Sequence, residues 1–136
     1  MSSPVARARA LITPTGVFVA LVPIAAAVIL YYGRGTTFFV DDWQWIAGRR
    51  DWTLATFLHP HNQHLSLIPI AIYKLLFVTV GIGHYWPYRV AVVAVHVLCS
   101  VLVFVLVRRR LGGWEAVVAG GLILFLGSAT DDLLWG

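Results

Sequence analysis

Between Phe38 and His64 the chain reads FFVDDWQWIAGRRDWTLATFLHPHNQH, which gathers three of its six acids and three of its five histidines between two long apolar segments. Asp41 and Asp42 follow an apolar run and stand beside Trp43 and Trp45, whose amphipathic rings favour the membrane–water boundary. A carboxylate at such a poorly hydrated boundary, with a like charge adjacent, is pushed toward a higher pKa and becomes a better proton acceptor. The same acids and histidines would also simply solvate an exposed loop, and spacing alone leaves both readings open. Arg49, Arg50, Lys74 and Arg89 are candidates to meet a phosphate. Each fits equally well an interfacial residue that carries its charge out to water on an apolar stem.

Metal chemistry is the second candidate. His59, His61 and His64 lie in HPHNQH, where His61 and His64 are spaced to share a helix face, but Pro60 prevents a regular helix through all three. Capping and contact with lipid headgroups are the plainer roles for them. Asp131 and Asp132 form a second acidic pair near Trp135. A divalent cation held between the two pairs would use the oxygen ligands hard metals prefer, whereas the plainer role of Asp131-Asp132 is to end a helix in water. No other cofactor is called for.

These residues need a scaffold, and the composition says which kind. With 60% hydrophobic and 12% charged residues and a mean hydropathy of +0.82, the chain departs from soluble proteins, in which charged residues make up about a quarter. That composition predicts an all-α, polytopic integral membrane protein. The net charge of +4 does not point to nucleic acid, because the basic residues fall at the edges of apolar runs and not along one solvated face. The single cysteine, Cys99, lies inside an apolar run, which rules out an intramolecular disulfide or a cysteine metal cluster.

Three spans are expected. Residues 11–32 carry no charge and extend roughly 33 Å as a helix, enough to cross a bilayer. Arg7 and Arg9 precede them. The apolar stretch is too long for a secretory leader and lacks a clear cleavage site, so it reads as an uncleaved anchor with a cytoplasmic amino terminus. Pro14 sits in its first turn and Pro23 is expected to kink it. The second span is expected over 86–107, bounded by Trp86 and Arg108 to Arg110, and the third over 114–130. Ala119, Gly120 and Gly121 would allow close packing, and His96 would hydrogen-bond between helices.

The segment 65–83 is ambiguous, with Pro69 early, Lys74 central and glycine at its end. If it crossed, Arg108 to Arg110 would land outside and Lys74 would lie near mid-bilayer, at a cost of about 2.5–3.5 kcal/mol. As a juxtamembrane or re-entrant helix within an outer loop 33–85, it keeps that cluster inside and puts both aspartate pairs on the outer face. The expectation is therefore one membrane domain at the cell membrane, with residues 33–85 outside.

The order of features is similar to a known pattern. An anchor is followed by an outer loop opening on Asp41-Asp42, then Ile68-Pro-Ile-Ala-Ile-Tyr-Lys-Leu-Leu-Phe-Val-Thr-Val-Gly81, then Tyr88-Arg89 entering a span that closes on Arg108-Arg-Arg-Leu-Gly-Gly113. This resembles the amino-terminal part of the GT-C superfamily, multi-spanning glycosyltransferases of the protein mannosyltransferase and aminoarabinose transferase kind, which use polyprenyl-phosphate sugars. The resemblance implies that Asp41 or Asp42 is the catalytic base. It suggests a substrate-facing turn around His61, Asn62 and His64, and under it Arg49, Arg50, Lys74 and Arg89 are the candidate partners of the donor phosphate. Such enzymes have many more spans than three, so the chain is expected to be the opening section of a longer enzyme and inactive alone. The alternative is a non-enzymatic membrane protein, a truncated remnant or a subunit that packs against partner helices.

Overall fold

The computed structural model describes residues 12–61 and 63–125. Asn62, Asp131 and Asp132, together with the ends of the first and third expected spans, lie outside the described residues. All regular structure among the described residues is helical.

Helix α1, Pro14–Tyr32, begins where Thr13 accepts the Gly16 amide at 3.1 Å and Pro14 supplies a first-turn residue that needs no amide partner. It continues through Pro23 to a 3-10 turn at Gly33–Gly35. Short helices α2, Val40–Ile46, and α3, Leu54–Leu58, follow. Helix α4, Leu67–Val80, is narrower than the expected 65–83 because Gly81, at φ +67°, ends it in a conformation glycine adopts without strain. Pro69 falls in its first turn, where it removes no helical hydrogen bond. Helix α5, Trp86–Arg110, exceeds the expected 86–107 by one turn, so Arg108, Arg109 and Arg110 occupy its carboxyl-terminal turn, where positive charge opposes the helix dipole. Helix α6 is Gly113–Leu124.

Two stretches, Pro14–Gly35 and Trp86–Arg110, are long and apolar enough to cross a membrane, and only 22% and 17% of their most apolar windows are buried within the protein. Val19, Ile24, Val28, Leu98, Leu102 and Leu106 all face outward. A continuous apolar surface of this kind suits hydrocarbon better than water. At 14 residues α4 extends about 21 Å, short of the ~30 Å hydrocarbon core.

α1 and α5 run antiparallel, and contacts at both ends fix this. Arg108 donates to the Thr15 hydroxyl at one end, while Gly33 lies against the Arg89 guanidinium at the other. The chain between Gly33 and Arg89 therefore leaves and returns at the same end of the pair. α6 completes a three-helix cluster whose core contains Phe18, Ala25, Phe104, Ala116 and Leu124. Phe18 and Phe104 stack at 4.1 Å, Ser100 donates to the Gly120 carbonyl at 2.7 Å, and a His96 ring nitrogen lies 3.3 Å from the Leu124 carbonyl. Gly120 is the close-packed member of its glycine pair, since a methyl there would come within 2.5 Å of the Phe18 ring, whereas Gly121 faces open space.

Candidate functional site

Adjacent residues on a helix point about 100° apart, and in α2 this rotation separates the two aspartates completely. Asp42 is fully buried and Asp41 is 46% exposed on its side chain. Phe39 caps α2 without a side-chain acceptor of its own. Asp42 supplies one by reaching back from the first turn, its Oδ2 accepting the Phe39 amide at 2.9 Å. Burial raises the Asp42 pKa above the ordinary carboxylate value, against the Phe39 amide and the Tyr73 and Tyr85 phenols, which favour the charged form. The neighbouring Asp41 charge is the smallest of these influences. Of the two causes the sequence suggested, poor hydration and an adjacent like charge, desolvation dominates and the like charge is minor, and both act on a fully buried carboxyl.

Around Asp42 lies a buried polar cluster. Tyr73 and Tyr88 pack with their ring centroids 5.1 Å apart, and Phe38 sits edge-on to both Tyr85 and Tyr88. The Tyr73 phenol lies beside the Asp42 carboxyl and interacts with it. Burial and the Asp42 charge raise the pKa of both Tyr73 and Tyr85. Tyr85 also hydrogen-bonds Arg89, whose guanidinium lies 5.2 Å from its ring centroid. Arg89, expected to meet substrate, is thus 1% exposed and belongs to this cluster.

Asp41 faces the other way, with its Oδ1 3.4 Å from Nε2 of His61, which is only 8% exposed. His61 is held by a turn. His61 and His64 exchange backbone hydrogen bonds at 2.8 Å in each direction, and Gln63 has φ +67°. The shared helix face considered for His61 and His64 is therefore replaced by an isolated antiparallel bridge, because Pro60 and the positive φ at Gln63 both interrupt a helix. Trp45 buttresses the imidazole at 5.6 Å. His64 is exposed.

Asp41 lines an apolar groove of about 440 Å³ between α4 and α5, with Trp45, Ile68, Ile72, Val92 and Val95 among its walls. His61 lines a polar cleft of about 570 Å³ with Gln44, Arg50, Asp51, Thr53 and Thr56. The Asp41–His61 contact therefore stands between the apolar groove and the polar cleft.

Two other expected phosphate partners are committed to the loop itself. Arg49 donates to the carbonyls of Thr56 and His59 at 2.8 Å and of Pro60 at 3.2 Å, closing the end of α3. Lys74 is 4% exposed and donates to the Arg49 carbonyl and, at 2.9 Å, to the Asp51 carbonyl, with Trp52 and Phe57 beside its ammonium. Desolvation lowers its pKa, with Asp51 opposing. Sequence reasoning foresaw a charge at the boundary but not its long-range backbone partners. Arg50 donates from Nε to the Ala47 carbonyl, and its exposed side chain lines the polar cleft.

Among the described residues no three His, Cys, Asp or Glu side chains converge as a metal site. The candidate metal ligands Asp131 and Asp132 are outside the described residues. Sequence reasoning also passed over Tyr73 and Tyr85; aromatic residues bracketing a buried acid would have been the signal.

Comparison with protein-family models, curated proteins and solved structures finds no match to this chain.

Proposed function

We propose that the protein forms the donor-side part of a membrane glycosyltransferase that moves a sugar from a polyprenyl-phosphate carrier to an acceptor on the outer face of the cell membrane. The observation that carries this reading is Asp41, half-exposed and 3.4 Å from His61, standing between an apolar groove and a polar cleft. A lipid-linked sugar has the same division, an apolar chain joined through phosphate to a hydroxyl-rich head.

In this reaction Asp41 takes the proton of the acceptor hydroxyl as its oxygen bonds to the anomeric carbon. The bond from that carbon to the phosphate oxygen breaks, and the electron pair leaves with the polyprenyl phosphate. His61 orients the Asp41 carboxylate, and Arg50 is the cation placed to meet the phosphate charge. Asp42 is an organiser of α2 and not a base. In the membrane, α1 and α5 span, 114–130 is the third span, and 33–85 with α4 lies outside. The shortness of α4 and the contact of Gly33 with Arg89 support this arrangement. Reconstituting the protein, with the rest of its polypeptide where it is part of a longer one, and assaying release of polyprenyl phosphate from labelled polyprenyl-phosphate sugars tests the proposal. Absence of release with every donor would favour a helix-packing subunit.

A further inference from the structure

Away from the Asp41 groove, the meeting point of the two long helices encloses a smaller cavity of about 280 Å³ that the proposed reaction does not use. Its walls include Arg34, Thr36, His84, Trp86 and Arg89, with Gly33 and Gly83 in the backbone. Two permanent positive charges line it, and none of the lining residues is acidic. Arg89 is fixed from below. It is 1% exposed, stacked beside Tyr85 and covered by Gly33, where a methyl would approach its Nη1 to 2.8 Å. Arg34 is exposed and anchored through Nη1 to the Tyr31 carbonyl at 2.8 Å, with its guanidinium over the Tyr31 ring. The Thr36 hydroxyl donates to the Gly33 carbonyl at 2.8 Å, which holds the opposite wall in place.

We infer that this cavity is a binding site for the phosphate of an anionic bilayer phospholipid. The chemistry fits, because guanidinium groups fixed on two sides of a small cavity match the oxygens of a phosphate, and a buried guanidinium gains most from an anion where water is scarce. The position selects a lipid over a free ion. Arg34 is two residues past the end of α1, and His84 two before the start of α5, so the cavity lies at headgroup depth if both helices span. Exposed Trp86 lines it and exposed Tyr31 and Tyr32 end α1 just before Gly33, the residue types that settle at that depth. The site is built from the α1–α5 junction and is independent of the proposed sugar transfer. Its effect is to clamp that junction, and with it the buried Tyr85–Arg89 end of the Asp42 cluster.

The test is lipid retention by the purified protein in neutral detergent, read by native mass spectrometry after exposure to equimolar phosphatidylglycerol and phosphatidylcholine. The wild type should retain phosphatidylglycerol preferentially. Arg34→Ala, at an exposed position, should weaken retention by roughly fivefold for the charge removed. Asp41→Asn should leave retention unchanged. Equal retention of the two lipids, or retention unaffected by Arg34→Ala, would overturn the inference. So would inorganic phosphate at millimolar concentration raising the thermal midpoint as much as phosphatidylglycerol does, since the site would then serve a free anion.

Discussion

Asp41 Oδ1 lies 3.4 Å from His61 Nε2, and the acid is the more exposed partner while the histidine is nearly buried. In the proposed transfer a base must reach its substrate, which suits the exposed carboxylate, with the buried imidazole as the group that holds it. His61→Ala should therefore leave the carboxylate in place but poorly oriented, lowering transfer about 10- to 100-fold while KM for the donor changes little. Steady-state kinetics on the reconstituted protein would show this, and a pure KM effect would assign His61 to binding instead.

Asp42 answers to stability. Asp42→Ala removes the acceptor for the Phe39 amide and leaves the Tyr73 and Tyr85 phenols without their buried neighbour. Loss of the cap costs about 1 kcal/mol, and a stranded buried polar group about 1–3 kcal/mol more. The expected outcome is a markedly lower thermal midpoint in detergent, with Asp41→Asn at the wild-type midpoint.

The same carboxyl sets a pH dependence. Its folded pKa is raised above the ordinary 3.8, so the unfolded chain ionises first as pH climbs. Through the window between 3.8 and the raised value the unfolded state binds fewer protons, and the Asp42 contribution to stability falls as pH rises, levelling off above the folded pKa. The difference in thermal midpoint between wild type and Asp42→Asn should accordingly shift against the wild type through that window. A difference constant with pH would contradict the buried, desolvated placement.

Much of the helical frame is legible in the sequence, because long uncharged runs and proline positions are local signals. Trp86 and the arginines around Arg108 mark the limits of α5, and Pro69 with Gly81 mark those of α4. The site is less legible. Asp41 and Asp42 look equivalent in a string, and only the rotation of α2 sends one to a groove and the other to a core. Lys74 finds carbonyls 23 and 25 residues earlier in the chain, a pairing no spacing rule predicts. Arg49 is likewise used up by carbonyls seven to eleven residues later.

Lys74→Met should strand the Arg49 and Asp51 carbonyls and loosen residues 49–58. Removing one partner of a buried hydrogen bond costs about 1–3 kcal/mol, so amide exchange in this loop should quicken about 5- to 150-fold while α5 stays protected. Uniform exchange across both segments would mean that Lys74 supports the whole fold instead of this loop.

Packing at α6 offers a paired control. Gly120→Ala would drive a methyl against Phe18 and Phe104, whereas Gly121→Ala meets nothing within 4 Å. Overpacking of this kind costs about 1–3 kcal/mol. The first variant should lower the thermal midpoint and the second should not.

The shared end of α1 and α5 puts residues 36 and 84 on one side of a membrane that both helices cross, and the proposed arrangement makes that side the outer one. With Cys99 replaced by alanine, Thr36→Cys and His84→Cys should both label with an impermeant thiol reagent from outside the cell. Labelling of position 84 from the cytoplasm alone would mean that α4 crosses the membrane.

The most direct measurement is release of labelled polyprenyl phosphate by the reconstituted protein and its Asp41→Asn variant, in liposomes supplied with donor and acceptor. Loss of a positioned general base predicts release at least about 100-fold slower in Asp41→Asn, with an unchanged thermal midpoint. Release at the wild-type rate by a folded Asp41→Asn protein would contradict the assignment of Asp41 as the base.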